Sequence, residues 1–428
     1  MTDLAAQLID WRRDFHAHPE LGFHEYRTAA QVCDVLAKLP GCTVRVGRQV
    51  MQPEGCMNAP TPAASAEARA EALAAGANAR WVDAMGDGLT GVTAEWTFSR
   101  PGPTLALRVD MDALPVTESA AAAHLPAREG FGSRRQGRMH ACGHDGHTAI
   151  GLGLASLVAR RAAKWGGKLR IIFQPAEEGC CGAAAMVAAG VVDDVDYFVA
   201  GHLGTSATET GMISCGSGGF LATTKMDVTL RGVAAHAGMK PHEGRNTLLA
   251  AATLTLQLHA ITRHGAGDSR VNVGQLTAGA GRNIIADHAD LKLEVRGATT
   301  EINAFMTAEA HRIIDAVAQM HDVTAEVTIV GAAEGAKCDP ALKAIVRAAA
   351  ESLPQTRRVV DSLDMPGSED ASLFMNKVQA RGGQATYLLI GSALAAGHHH
   401  PTFDFDENAL LHGVELYAAI ADRILSRP

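Results

Sequence analysis

Thr104-Leu-Ala-Leu-Arg-Val109 and Lys168-Leu-Arg-Ile-Ile-Phe173 are two short apolar runs, and Ala149 to Ala163 reads as a helix between them. Apolar runs of this length, bounded by turn residues, read as buried strands. The alternation continues with Gly182 to Ala189 as a helix closed by Gly190, and with Val195 to Ala200 as a strand. Near the far end, Ala385-Thr-Tyr-Leu-Leu-Ile390 is one more strand, followed by a closing helix from Asn408 to Leu425. Strands alternating with helices predict an α/β fold whose mostly parallel sheet is flanked by helices on both faces.

Outward from this core, residues 3–39 read as amphipathic helix, with Leu4, Leu8, Trp11 and Phe15 near helical spacing and a break at His18-Pro19. Residues 52–80 are alanine-rich. Pro53, Pro60 and Pro62 open a loop there, and Ala64 to Val82 then favours helix, as a surface insertion. The middle of the chain has a different rhythm. Lys225-Met-Asp-Val-Thr-Leu230 and Ala289-Asp-Leu-Lys-Leu-Glu-Val295 alternate like half-exposed strands, with a helix near 246–262 between them. A helix near 302–321 and the strand Thr324 to Val330 follow. This order predicts a smaller α+β unit, residues 219–334, inserted into a domain made of 1–218 and 335–428.

Composition limits the function. The chain has 428 residues, 47% apolar and 20% charged, which excludes a disordered polymer. A net charge of −8 argues against a nucleic-acid partner. No apolar stretch reaches the roughly 18 residues of a membrane span. The start Met1-Thr2-Asp3-Leu4 lacks a basic leader, and eight irregularly spaced cysteines without Cys-x-x-Cys read as reduced thiols. The expected compartment is the cytoplasm.

Four polar clusters fall at or after predicted strand ends, where open α/β sheets bind ligands. Met139-His-Ala-Cys-Gly-His-Asp-Gly-His147 places Cys142 and His144 on one tight turn, a thiolate and an imidazole suited to a borderline divalent metal. Gln174-Pro-Ala-Glu-Glu-Gly179 offers two adjacent carboxylates, one for a metal and one for general base work. His202 follows the Val195 strand, and Gly397-His-His-His-Pro401 follows the Tyr387 strand and supplies at least one further ligand. One Cys, several His and a Glu pair suit two divalent ions about 3.5–4 Å apart, and hydrolysis of an amide. A non-catalytic, metal-binding regulatory subunit is the alternative, but a closed structural site needs no spare carboxylate. No Gly-x-Gly-x-x-Gly follows the first strand, which argues against a dinucleotide-binding oxidoreductase.

The chain resembles the metallopeptidase-type amidohydrolases that include aminoacylases, carboxypeptidases acting on folate glutamate, and auxin-conjugate hydrolases. The resemblance is carried by Trp11 to Gly22, Arg108-Val-Asp-Met-Asp-Ala-Leu114, His140 to His147, Gln174 to Gly179, Gly367-Ser-Glu-Asp370 and His399-His-Pro-Thr-Phe-Asp-Phe-Asp406. It implies Cys142, His144, Glu178, His202 and His399 as ligands of two divalent ions, Mn2+ or Zn2+, with Cys142 bridging. It implies Glu177 as general base and His236 of the inserted lid as oxyanion partner. It further implies that Asn283 and Arg296 bind substrate carboxylate or carbonyl groups, with Arg245 and Lys240 as other lid cations. Asp110, Asp112, Glu369 and Asp370 are implied to orient the ligands. Within the family it is the branch acting on p-aminobenzoyl-glutamate that is most similar, on Met139 to Leu154, Gly190 to Phe198 and the inserted helix ending in Trp81. Indole-3-acetyl-aspartate hydrolases are similar to that branch. The implied substrate is a small acidic N-acyl amino acid, and the implied partner is a second copy through the lid or a related second chain.

Overall fold

The computed structural model describes residues 2–365 and 367–426. Their strands, in chain order, are β1 (Thr43–Val46), β2 (Val92–Thr97), β3 (Arg100–Asp110), β4 (Gly166–Gln174), β5 (Tyr197–Leu203), β6 (Met212–Ser214), β7 (Ser217–Gly218), β8 (Ala222–Arg231), β9 (Ser269–Ala278), β10 (His288–Gly297), β11 (Thr324–Ala333), β12 (Arg358–Val360), β13 (Leu363–Asp364) and β14 (Gln384–Ile390). The helices are α1 (Thr2–Ala17), α2 (Tyr26–Leu36), α3 (Pro62–Ala74), α4 (Ala79–Ala84), α5 (Leu125–Glu129), α6 (His144–Arg161), α7 (Ala183–Ala188), α8 (Thr247–His259), α9 (Thr300–His321), α10 (Pro340–Glu351), α11 (Ala371–Ala380) and α12 (Asn408–Leu425). No helix among the described residues is long and apolar enough to cross a membrane.

The chain divides into two compact units. The larger comprises residues 1–218, 336–365 and 370–428, and the smaller comprises 219–335 and 366–369. The larger unit is built on an eight-stranded sheet of order β1-β2-β4-β3-β5-β14-β6-β12. Its centre, β4-β3-β5-β14, is parallel. These strands are the apolar runs of the sequence, buried on both faces by helices. The sheet is extended antiparallel by β2, whose residues pair with β4 from Val92↔Phe173 to Thr97↔Lys168. The sequence signal for β2 was weak because Val-Thr-Ala-Glu-Trp-Thr mixes strand formers with a charge.

Helix α6 carries the histidine loop and is buried on all sides from His144 to Leu154. Glycine permits this. A Cβ on Gly146 would come within 2.6 Å of Phe405 Cζ and 2.7 Å of Leu203 Cδ1, and one on Gly153 within 2.6 Å of Leu8 Cδ2 and Val414 Cγ2. The alanine-rich insertion is two helices rather than the single one expected over 64–82. Gly76 turns left-handed at φ 86°, and Asn78 Oδ1 then caps α4 by accepting from Arg80 N at 3.2 Å. Trp81 is buried, and its indole Nε1 donates to Asp34 at 2.9 Å.

The smaller unit is a four-stranded antiparallel sheet, β11-β8-β10-β9, with α8 and α9 packed on it. Alternation in β8 and β10 buries Met226, Val228, Leu230, Leu291, Leu293 and Val295 against these helices. Asn246 and Thr299 cap the two helices.

Candidate metal centre

In the larger unit, the segments after β3, β4 and β14 bring their side chains together with His202, which lies within the end of β5 rather than after it. Side-chain donors of Cys142, His144 and His202 lie within 4.8 Å of one another, and so do those of Cys142, Glu178 and His399. The two trios share one sulfur, and His144, Glu177 and Glu178 form a further group of the same size. The strand ends therefore gather every ligand that the resemblance implies.

Each imidazole is held in one role by its second nitrogen. His144 Nδ1 donates to Asp112 Oδ1 at 3.2 Å, and its Nε2 is buried without a hydrogen-bond partner, 3.9 Å from Glu177 Oε2. His202 Nδ1 donates to its neighbour's carbonyl, Leu203 O, at 2.8 Å, which leaves the Nε2 lone pair 3.5 Å from Cys142 Sγ. His147 is different. Its Nδ1 donates to Asp110 Oδ1 at 2.6 Å and its Nε2 accepts from Leu203 N at 2.9 Å, so both nitrogens are occupied. His147 therefore ties β3 to β5 beneath the site.

The three consecutive histidines separate cleanly. His398 Nε2 points to Leu203 O at 3.3 Å, and its ring packs on Phe403 at 4.8 Å between centroids. His400 is exposed and bonds Thr402 Oγ1 at 2.8 Å. His399 places Nε2 3.4 Å from Glu178 Oε1. Its backbone is left-handed, φ 66°, and its N–H donates to Ala141 O at 2.7 Å, fastening the histidine run to the Cys142 loop. A left-handed conformation costs a non-glycine residue about 1–2 kcal/mol, which that contact offsets.

The charges fit a cation. His144 is buried, yet the carboxylates of Asp110 and Asp112 outweigh that and raise its pKa to about 10. Burial, and then the charges of Glu178 and Glu177, push the Cys142 thiol well above its ordinary range. A thiolate there calls for positive charge from outside the chain, which a bound divalent ion supplies. The buried Nε2 of His144, without a hydrogen-bond partner, points to the same need.

A second layer fixes these groups. Asp112 holds His144 with one oxygen and accepts Glu178 N with the other at 2.9 Å. Arg108, fully buried, donates to Gln174 Oε1 at 2.8 Å, Asp110 Oδ2 at 2.7 Å and Asp370 Oδ1 at 3.3 Å. Asp370 Oδ2 accepts from Gly182 N and Ala183 N at 3.2 and 3.0 Å, anchoring the chain just after the glutamate pair. Arg12 of α1 donates to Asp145 at 3.0 Å, Asp404 at 2.5 Å and Glu407 at 3.2 Å, joining α6 to the loop that follows His399. Glu25, which the motifs did not single out, accepts Ala176 N at 2.8 Å and Thr90 Oγ1 at 2.6 Å. Burial beside Asp112 raises its pKa to about 8. Its signal was a lone acid next to an aromatic, too ordinary to stand out.

The residues that the resemblance assigns to a lid belong to the smaller unit. His236 is exposed, and its Nδ1 accepts from Gly238 N and Met239 N, both at 3.2 Å. The ring proton therefore sits on Nε2, which is free to donate. Ala237 N donates to Asn283 O at 3.0 Å and Ile285 N to Ala235 O at 2.9 Å, so the His236 and Asn283 loops run side by side. Arg296 makes two hydrogen bonds to Glu294, at 2.9 and 3.1 Å. Residues two apart on a strand share a face, so this pairing was readable from spacing. Arg245 pairs with Asp322 and Lys240 with Glu243.

Residues 106–423 match the model of peptidase family M20/M25/M40. Over 422 residues the chain is 47% identical to an indole-3-acetyl-aspartic acid hydrolase of Enterobacter agglomerans, covering 98% of this chain and 96% of that one. It is 46% identical, with the same coverage, to one of the subunits of p-aminobenzoyl-glutamate hydrolase from Escherichia coli. The crystal structure of an aminobenzoyl-glutamate utilization protein from Klebsiella pneumoniae superposes with a TM-score of 0.86 at 43% identity, covering 99% of this chain and 96% of that one. A dinuclear metal binding peptidase of the M20 family from Bacillus subtilis superposes at 0.69 with 26% identity, covering 99% of both chains. This chain belongs to peptidase family M20/M25/M40 and is a metal-dependent amidohydrolase.

Proposed function

We propose that the protein hydrolyses p-aminobenzoyl-glutamate to p-aminobenzoate and glutamate. The observation that carries this reading is the pair of donor trios sharing Cys142 Sγ beside a glutamate left over for proton transfer. Cys142, His144, Glu178, His202 and His399 hold two divalent ions, Mn2+ or Zn2+. Bound ions of this kind polarise a carbonyl and lower the pKa of water. Glu177 takes the proton of the attacking water and delivers it to the leaving nitrogen. His236 donates Nε2–H to the developing oxyanion, and Asn283 and Arg296 bind substrate oxygens. Indole-3-acetyl-aspartate is the second reading, supported by the 47% identical relative named as its hydrolase.

The smaller unit, in this reading a lid, also joins two copies of the chain. Helix α8 exposes Leu248, Leu249 and Leu256, and the neighbouring sheet edge is β9, with Leu276 exposed. An apolar helix face beside an open strand edge suits a symmetric partner. A related but different chain is the other candidate for that face, since the Escherichia coli relative is named as one subunit of its hydrolase. The eight cysteines are free, in keeping with a reducing cytoplasmic setting. A hydrolysis screen of the two conjugates, with and without added Mn2+, tests the reading. Turnover of one conjugate that stops on chelation supports it, and inertness toward both with metal bound refutes it.

A further inference from the structure

Resting on that reading of an acidic N-acyl amino acid substrate, the geometry points to Arg282 as the residue that takes the side-chain carboxylate of the leaving amino acid. A carboxylate is recognised best by a guanidinium whose donors are unengaged. In the smaller unit, Arg296, Arg245 and Lys240 are each already in an ion pair, with Glu294, Asp322 and Glu243. At Arg296, Nε and one Nη are already bonded to Glu294, and the charge of Glu294 opposes a second carboxylate there. Arg282 is exposed and has no hydrogen-bond or ion-pair partner among the described residues.

Its position is set by the residues beside it. Arg282 directly precedes Asn283, whose carbonyl accepts from Ala237 N, and Ile284 bridges to His236 across the same pair of loops. The Nε2–H donor of His236, the Asn283 amide and the Arg282 guanidinium therefore stand on one braced pair of loops. The α-carboxylate of an N-acyl amino acid lies one carbon from the scissile nitrogen, close to the groups that hold the carbonyl. The side-chain carboxylate stands further out and needs a longer arm on the rim of the same cluster. Arg282 is that arm, and it selects glutamate or aspartate over their amides.

The test compares p-aminobenzoyl-glutamate with p-aminobenzoyl-glutamine on the metal-loaded enzyme, together with product inhibition by glutamate and by glutamine. For Arg282→Gln, kcat/KM for the glutamate conjugate falls about 10–100-fold, mostly through KM, as expected for loss of a charged hydrogen bond. The glutamine conjugate changes less than about twofold, glutamate loses its inhibition while glutamine does not change, and Arg282→Lys recovers part of the loss. Equal losses for both conjugates, or no loss for either, with product inhibition also unchanged, overturns the assignment while amide hydrolysis stands. A wild-type enzyme that cleaves no N-acyl amino acid overturns the proposed function, and this assignment with it.

Discussion

Asp112 lies 3.2 Å from His144 Nδ1 and turns the other nitrogen of that ring into the site. The same carboxylate holds the backbone of Glu178. One buried acid thus orients a proposed ligand from α6 and another from the turn after β4. Asp112→Ala is expected to weaken metal binding about 10–100-fold, the usual effect of losing such a support. Metal titration followed by calorimetry measures this, and unchanged affinity contradicts the role.

The two glutamates of the turn are predicted to separate by phenotype. Glu177→Gln keeps its metal content and loses about 10²–10⁴-fold in kcat, the range for general base catalysis. Glu178→Gln loses metal. Elemental analysis beside steady-state kinetics distinguishes them, and the opposite pattern means that the roles are exchanged.

Arg12 is buried among Asp145, Asp404 and Glu407. Arg12→Met leaves those carboxylates without their cation and is expected to cost about 3–5 kcal/mol of folding stability. Denaturant unfolding measures it. A loss below about 1 kcal/mol shows that the network is not needed for the fold.

His412 gives a pH dependence remote from the metal site. Burial lowers its pKa to about 4, and its Nε2 bonds Thr356 Oγ1 at 2.9 Å. The unfolded chain takes up this proton near pH 6.5 and the folded chain only near pH 4. Stability from this residue is therefore complete above pH 6.5 and declines as pH falls toward 4, by at most about 3 kcal/mol. His412→Gln removes that decline. Unfolding curves of both proteins between pH 7 and 4 should converge as the pH drops, and parallel curves contradict the assignment.

The apolar face of α8 predicts assembly. Leu249→Glu combined with Leu256→Glu places charge on two exposed positions of that face and is expected to convert a dimer to a monomer in light scattering. A monomeric wild type, or a dimer whose mass the two substitutions leave unchanged, contradicts assembly through this face.

Much of the site was legible in the sequence because its groups sit in short local motifs. Cys142-Gly-His144 and Glu177-Glu178 carry their chemistry within a few residues, and strand ends predict their convergence. Long-range pairing was not legible. His147 stands in the same histidine loop without an assigned role in sequence, and only the approach of Asp110 and Leu203 shows both its nitrogens occupied. Among His398, His399 and His400 the resemblance implies His399, and the left-handed backbone at that residue is something spacing does not encode. In the fold, the parallel centre was readable from apolar runs. The antiparallel β2 and the division of the insertion at Gly76 were not, because tertiary pairing and one cap outweigh propensity there.

The most direct test of the account is release of glutamate from p-aminobenzoyl-glutamate by the purified protein, followed against bound metal. The account predicts turnover that is abolished by a chelator and restored by Mn2+ or Zn2+, reaching its maximum at two ions per chain. A protein holding two ions per chain yet inert toward a panel of N-acyl glutamates and aspartates would contradict it.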